Sequence, residues 1–309
     1  MPLQLQQLTQ PKAAGWVRRC MGADFPPEPV TDSDGLRISA SRADHFSFIE
    51  IEVEAAAGMS PEAFESAVVE SYGRLQQLLR DEGDRHPVRF WNFIPAIGQK
   101  MSDGMDHYEH FNMARHTACT AWWGPRAMTR KLAAASGVSS TNDAYVVQVL
   151  AAESEGRPVE NPRQIPAYRY SSRYGPKPPC FARATVLSHP DLGPDPLALL
   201  AGTAAVRGED SQCIGDLAGQ FQETCRNLAS LIACAEGQVE PSVNGHIPAR
   251  LAQLQEVRVY VSEDRHVEAV LDACDKAFEH GPTIEWMVTD LCRPELWVEI
   301  EGIAALDLA

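Results

Sequence analysis

The chain has 309 residues, room for one large domain or two ordinary ones, and 44% of them are hydrophobic, so a sizeable core is available and bulk disorder is excluded. Its formal charge of −15 argues against a general nucleic-acid binder, which needs a basic footprint, and against anionic membrane surfaces. An acidic chain can still take an acidic small molecule if it concentrates a few arginines in one pocket.

The opening Met1-Pro2-Leu3-Gln4-Leu5-Gln6 lacks the cationic region and apolar core of a secretory signal. No stretch approaches the roughly 18–20 apolar residues that span a bilayer, so a soluble cytoplasmic protein is expected. Residues 1–35 are rich in Pro, Gly and Asp and read as an irregular lead-in with one short strand. Phe46 to Glu54 alternates strictly, with Ile49, Ile51 and Val53 on one face, and is a half-buried strand. Ser60-Pro61 then opens a helix, with Ser60 as N-cap, Pro61 at the first helical position, and Met59 and Phe64 placed as a hydrophobic staple. Phe64, Val68, Tyr72, Leu75 and Leu79 form its buried stripe. Val88 to Pro95 reads as a strand, Asp106 to Arg115 as a helix, and Thr141 to Leu150 as a strand.

Residues 156–180 differ in kind. Prolines punctuate them, periodicity is low, and Arg163, Tyr168, Arg169, Tyr170, Arg173 and Tyr174 give them an aromatic and basic character. They read as a connecting segment that carries binding groups between an N-terminal domain (36–155) and a C-terminal domain (181–309). In the second half, Leu199 to Val206 is a strand and Asp210 or Ser211 caps a long helix striped by Ile214, Leu217, Phe221, Leu228 and Leu231. Val257, Val259 and Val261 mark a strand, and Val267 to Phe278 a helix stopped by Gly281. Trp286 to Leu291 and Leu296 to Ile303 close the chain as strands. Strand and helix alternate in two halves of similar rhythm, which suggests an α+β fold of two sheets, each with helices on one face.

Three observations bear on chemistry. The eight cysteines include no C-x-x-C pair, so zinc-ribbon and thioredoxin-type sites have no support and free thiols are expected. His107-Tyr108-Glu109-His110 has a ligand-like spacing without a third ligand, and no metal is expected. Nucleotide-binding and serine-hydrolase motifs are absent. In the last strand, Trp297, Glu299 and Glu301 share one face. That face is either the solvent side of an edge strand or the wall of a pocket. In a pocket, burial and the like charge raise a carboxyl pKa and make it a general acid near neutral pH.

From about residue 174 the chain resembles the Rid (YjgF) family through Gly175-Pro176, Ala201-Gly202-Thr203-Ala204, the helix with Gln222-Glu223-Thr224 and Asn227-Leu228, and the closing Val298-Glu299-Ile300-Glu301-Gly302. The resemblance carries the family's active-site Glu over to Glu299. The family's carboxylate-gripping arginine falls near Ile284 and is not carried over.

Across residues 88–304 the chain is similar to the chorismatases. The similarity rests on Arg89-Phe90-Trp91-Asn92-Phe93-Ile94-Pro95, Tyr108-Glu109-His110-Phe111-Asn112, Asn161-Pro162-Arg163-Gln164, Ala167-Tyr168-Arg169-Tyr170, Tyr174-Gly175-Pro176, Phe181-Ala182-Arg183-Ala184 and Gly202-Thr203-Ala204-Ala205 followed by Gly208-Glu209-Asp210-Ser211.

The resemblance implies two related Rid/YjgF-like (chorismate-mutase-like) domains and the conversion of chorismate to pyruvate plus a cyclic carboxylate, without metal or cofactor. It implies Glu299 as proton donor and Tyr168, Arg183 and, less directly, Arg115 as carboxylate clamps; Ala114 stands where the family usually has Gly. Two positions bear on the product. Cys292 matches members that make 3-hydroxybenzoate, whereas Ala205 matches members that hydrolyse chorismate to a dihydroxycyclohexadiene carboxylate. The balance leans to 3-hydroxybenzoate, with the dihydrodiol or mixed 3- and 4-hydroxybenzoate as alternatives. A Rid-like enamine or imine deaminase and a non-catalytic carboxylate-binding protein are the readings of another class. Assembly as a homo-oligomer is open.

Overall fold

This computed structural model describes residues 5–22, 28–33, 36–238, 247–278 and 281–307; Met1–Gln4, part of the opening read above for a leader, lie outside them. The first half runs β1 (Leu5–Gln7), α1 (Val17–Met21), β2 (Glu28–Ser33), β3 (Leu36–Arg42), β4 (Phe46–Val53), α2 (Pro61–Asp81), β5 (His86–Ile94), α3 (His107–Trp123), α4 (Met128–Lys131), β6 (Ala134–Ser139) and β7 (Tyr145–Ala152). The second runs β8 (Arg157–Val159), β9 (Ala184–Leu187), β10 (Leu197–Ala204), β11 (Val206–Arg207), β12 (Asp210–Ser211), α5 (Leu217–Ala235), α6 (Ile247–Leu251), β13 (Leu254–Val261), α7 (Val267–Ala277), β14 (Thr283–Val288) and β15 (Val298–Ala305).

Local chemistry sets the helix starts. Ser60 Oγ accepts the Ala63 N–H at 3.3 Å and Pro61 opens α2, as its spacing predicts. Asp106 and Glu109 form a reciprocal capping box on α3, which then runs two turns past the expected end at Arg115. The cap expected at Asp210 or Ser211 is displaced: these residues form β12. A two-residue loop pairs them with β11, and Gly208 supplies the left-handed φ of +62° that such a turn requires. Asp216 caps α5 instead, its Oδ1 accepting the Gly219 N–H at 3.0 Å.

Two sheets result. One has the order β2-β3-β4-β7-β5-β6, the other β1-β14-β13-β15-β10-β9-β8. The same topology occurs twice. In each half two antiparallel strands lead into a helix, a third strand, a second helix, a fourth strand parallel to the third, and a fifth that inserts between the second and third. The lead-in contributes to both sheets, since β1 runs parallel to β14 and β2 pairs with β3. Trp16, Val17, Cys20 and Met21 are buried with it.

The sheets pack face to face. Phe48, Trp91, Phe93 and Val146 from one meet Leu199, Tyr260, Met287 and Ile303 from the other. The outer faces carry the helices: α2 and α3 cover Ile49, Ile51 and Val147, and α5 and α7 cover Val257, Val259 and Ile300. The stripe Phe64, Val68, Tyr72, Leu75 and Leu79 is wholly buried, and the burial of each such side chain contributes about 1.5–3 kcal/mol. At its edge, β6 is stitched to the second sheet. Ala134 N–H donates to Thr185 Oγ1 at 2.8 Å, and Ser139 N–H donates to the Asp290 carbonyl at 2.8 Å. Among the described residues no helix is long and apolar enough to cross a membrane.

Candidate active site

The terminal strand is not an edge. β15 lies between β10 and β13, so Glu299 sits opposite Ala204 on one side and Tyr260 on the other. Its polar face turns toward the first sheet and is buried there, with Glu299 5% and Glu301 1% exposed.

The two carboxyls meet different surroundings. Glu301 accepts from Trp91 Nε1 at 2.7 Å, from Arg89 Nη2 at 2.8 Å and from Ser136 Oγ. Arg258 Nη1 stands 4.0 Å away. Converging donors and two guanidiniums suit an ionised carboxylate. Glu299 receives no hydrogen bond among the described residues. Burial first, and the neighbouring charge of Glu301 second, push its carboxyl up to about 8; Arg89 and Arg183 oppose the shift. Two like groups on one strand face are thereby split into a charge and a proton carrier.

The backbone makes room for the proton carrier. The pairing of β10 with β15 shifts register between Leu200 and Thr203, and Gly202 lies in that irregularity. A Cβ on Gly202 would come within 1.8 Å of Glu299 Oε1. The Gly202 N–H donates to Ser136 Oγ at 2.9 Å, and Arg89 Nη2 donates to the same oxygen at 2.6 Å. Ser136 thus ties the bulge to the Glu301 network.

Glu299 opens into a cavity of about 290 Å³ along β6, between α3, the connecting segment, the bulge in β10 and the loop before β15. This is room for one small ligand. Arg115 from α3, Arg183 before β9 and Arg293 from the last loop line it. All three are buried, at 2%, 5% and 8% exposure, and none forms an ion pair among the described residues. Arg183 Nη2 donates to Tyr170 Oη at 2.6 Å. Arg293 Nη1 donates to the Glu209 carbonyl at 2.8 Å, and its guanidinium stacks 4.0 Å from the Tyr174 ring. Arg115 lies over Tyr72 and Phe90. Arg115 Nε, Arg183 Nε, Asn112 Nδ2 and Gln164 Oε1 are buried without a partner. Buried cations that lack counter-charges are costly, and an anionic ligand compensates them.

Cys292 lines the same cavity. Burial, then the charge of Glu299, pushes its thiol up to about 12, so it is neutral at physiological pH. Burial likewise holds the Tyr108 hydroxyl well above its usual range.

The structure therefore brings together Glu299, Cys292, Arg183 and Arg115. Two of the residues singled out from sequence do not line the cavity. Tyr168 packs instead against the small cluster of Cys119, Met128, Leu132 and Cys180, and Tyr170 takes the place by Arg183. Tyr168 lies within a short 3₁₀ turn, Ala167–Arg169, and Tyr170 caps its C-terminal end, a difference that a spacing argument does not resolve. Ala205 points into the core between the sheets, whereas Ala204 faces the cavity. The sequence placed Tyr170 in the binding segment and Glu301 beside Glu299, but it singled out neither Arg293 nor the bonds from Arg89 and Ser136 to Glu301. Arg293 lies in a loop without periodicity, next to Cys292. Of the two histidines at ligand-like spacing, His107 Nδ1 meets the Gln99 carbonyl, and His110 bridges Glu65 and Asp103.

Residues 25–151 match the model of the FkbO/Hyg5-like chorismatase N-terminal domain. Over 235 residues the chain is 34% identical to a 3-hydroxybenzoate synthase of Streptomyces hygroscopicus, covering 75% of this chain and 67% of that protein. A chorismatase of the same organism is 30% identical over 244 residues, covering 78% and 68%. The chain belongs to the chorismatase family. A chorismatase crystal structure superposes with a TM-score of 0.75 at 26% identity, covering 90% of this chain and 80% of that one. At that coverage the superposition extends into both halves of the chain.

Proposed function

We propose that this chorismatase protonates the enolpyruvyl ether of chorismate from Glu299 and releases pyruvate and 3-hydroxybenzoate. The observation that carries this reading is one cavity that joins Glu299, a carboxyl that burial pushes up to about 8, to three buried arginines that form no ion pair among the described residues. Chorismate bears two carboxylates and one acid-labile enol ether. Arg183 and Arg293 flank Tyr170 and suit one carboxylate, and Arg115 on the α3 side suits the other. With the substrate so held, Glu299 delivers its proton to the terminal methylene. Positive charge then develops at the ether carbon, where the ionised Glu301 behind Glu299 favours it. The bond from the ether oxygen to the ring then breaks, its electron pair completing the pyruvate carbonyl. The oxygen of the vicinal ring hydroxyl bridges to the vacated carbon and leaves its own, and loss of the ring proton from the vacated carbon restores aromaticity and the proton spent on the methylene.

Pyruvate and 3-hydroxybenzoate together have the composition of chorismate, so no co-reactant is consumed and the protein need only move protons. Cys292, a neutral thiol beside Tyr108 and Glu299, is suited to the ring side of that traffic. Its place in the cavity supports 3-hydroxybenzoate over the dihydrodiol, because Ala205, the residue that pointed to hydrolysis, lies outside the lining. The test is incubation with chorismate, with pyruvate quantified and the organic acids separated by chromatography. Equal amounts of pyruvate and 3-hydroxybenzoate are expected. Pyruvate with the dihydrodiol would reverse the product assignment, and no pyruvate from folded protein would remove the reading.

A further inference from the structure

Among residues that do not line the cavity, three loops bring two histidines and two carboxylates together. His45 lies in the turn between β3 and β4, Glu153 directly follows β7, and His189 and Asp191 lie between β9 and β10. One ligand atom from each of His45, Glu153 and His189 falls within 4.8 Å of the others. His45 and Glu153 are 108 residues apart in sequence, and His189 comes from the other sheet. We propose that these residues form a binding site for a divalent transition-metal ion, zinc by preference, which clips the two halves of the chain together.

The geometry of the nitrogens argues for a metal rather than a chance cluster. His45 Nδ1 is 2.6 Å from Glu153 Oε2, so in the neutral ring Nδ1 carries the proton and Nε2 presents its lone pair; the metal must displace the second proton that Glu153 and Asp191 favour on this ring. His189 Nδ1 accepts the Asp191 backbone N–H at 3.2 Å, so it too presents a lone pair. The imidazole rings lie 4.7 Å apart. Asp191 Oδ2 is 3.9 Å from His45 Nε2 and 3.7 Å from His189 Nδ1. A tetrahedral zinc ion with bonds of about 2.0–2.1 Å holds its ligand atoms about 3.3–3.5 Å apart, so small side-chain rotations close the set. His189 would exchange its bond to the Asp191 N–H for the bond to the metal. Glu153 would then occupy the outer position that carboxylates take behind metal-binding histidines, where they fix the tautomer and raise ligand basicity. Two imidazoles and a carboxylate form a mixed N/O set that selects zinc, cobalt or nickel over calcium or magnesium. Water completes the sphere.

Because one histidine is anchored beside β4 and the other beside β9, bound metal stabilises the native chain by mass action and leaves the cavity untouched. The test is calorimetric titration of the metal-free, full-length protein with zinc chloride in a non-chelating buffer. It is paired with thermal unfolding and with the visible spectrum on adding cobalt chloride. One equivalent of zinc is expected per chain, with a raised Tm and the intense visible bands of tetrahedral cobalt. His45→Ala and His189→Ala should each lose the stoichiometric site, the Tm shift and the cobalt bands. Both should keep the metal-free Tm within a few degrees and turn over chorismate like the parent. Asp191→Asn should weaken binding without abolishing it. No stoichiometric uptake by the parent chain would overturn the proposal, and so would an unchanged site in both histidine variants.

Discussion

At the residue scale the decisive contrast is between Glu299 and Glu301, two glutamates separated by one isoleucine. Donors surround one and, among the described residues, none reaches the other, so burial outweighs the opposing charges of Arg89 and Arg183 and pushes the Glu299 carboxyl up to about 8. The proposed proton transfer from Glu299 needs its protonated form. We expect kcat/KM with chorismate to hold up below pH 8 and to fall as pH rises through it. Glu299→Gln, which offers no proton, should lose about 10²–10⁴ in kcat/KM. The same group shapes stability. Its unfolded pKa is about 4.3, so between there and 8 the native state keeps a proton that the unfolded chain gives up. The stabilisation is complete below the unfolded value and declines as pH rises through 8. In urea titrations at pH 5 and pH 9, Glu299→Gln should show a shallower loss of stability than the parent. An equal loss in both would contradict a carboxyl raised by burial. Gly202 is the second sensitive residue, because its missing Cβ is the space that Glu299 occupies. Gly202→Ala should displace the carboxyl by about 1 Å and cost about 10² in kcat, with a native far-UV spectrum.

At the element scale, β15 shows what was legible and what was not. The alternation that places Glu299 and Glu301 on one face was plain from the sequence, as were the stripe of α2 and its Ser60 cap. Whether that face met water or protein was not legible, because it depends on β15 inserting between β10 and β13 rather than at an edge. Short β6 and β9 escaped notice for a related reason. The Ala- and Ser-rich β6 carries little periodicity, β9 is only four residues long, and both are defined by neighbours distant in the chain. Arg183 and Arg115 could be named from motifs. Tyr170 rather than Tyr168 could not, since a single 3₁₀ turn decides which side chain reaches the cavity. The β15 arrangement carries its own test. Glu301→Gln removes the like charge beside Glu299 and leaves Arg89 with less to balance it. Both changes favour the Glu299 carboxylate. The falling limb of the kcat/KM profile should therefore move below its position in the parent, and Tm should drop because a buried guanidinium has lost its partner. A limb that stayed in place would remove Glu301 from the tuning of the acid.

At the scale of the whole molecule, a repeated topology has become a single active site. Each half is a five-strand unit with two helices on its outer face, and what they bury between them is the inner face of both sheets. The site lies on that seam. Glu299 comes from the second sheet, Ser136 and Arg89 from the first, and Arg115 from a helix of the first half. A net charge of −15 is compatible with a dianionic substrate only because the uncompensated cations are held inside, where bulk charge and salt screen them weakly. Neither half has a complete core alone, because Trp91, Phe93, Leu199 and Ile303 belong to one buried cluster shared by both sheets. The chain should therefore unfold as one cooperative unit despite its length and its twofold architecture. Tryptophan fluorescence, weighted to Trp16, Trp91, Trp122 and Trp123 in the first half, and far-UV circular dichroism, which reports both halves, should give coincident urea transitions. A non-reactive dicarboxylate analogue bound to the three arginines should shift both curves together, since it binds only where the halves meet. Two separated transitions, or a ligand shift confined to one probe, would mean that the seam is a contact between independent domains rather than the core that holds the site.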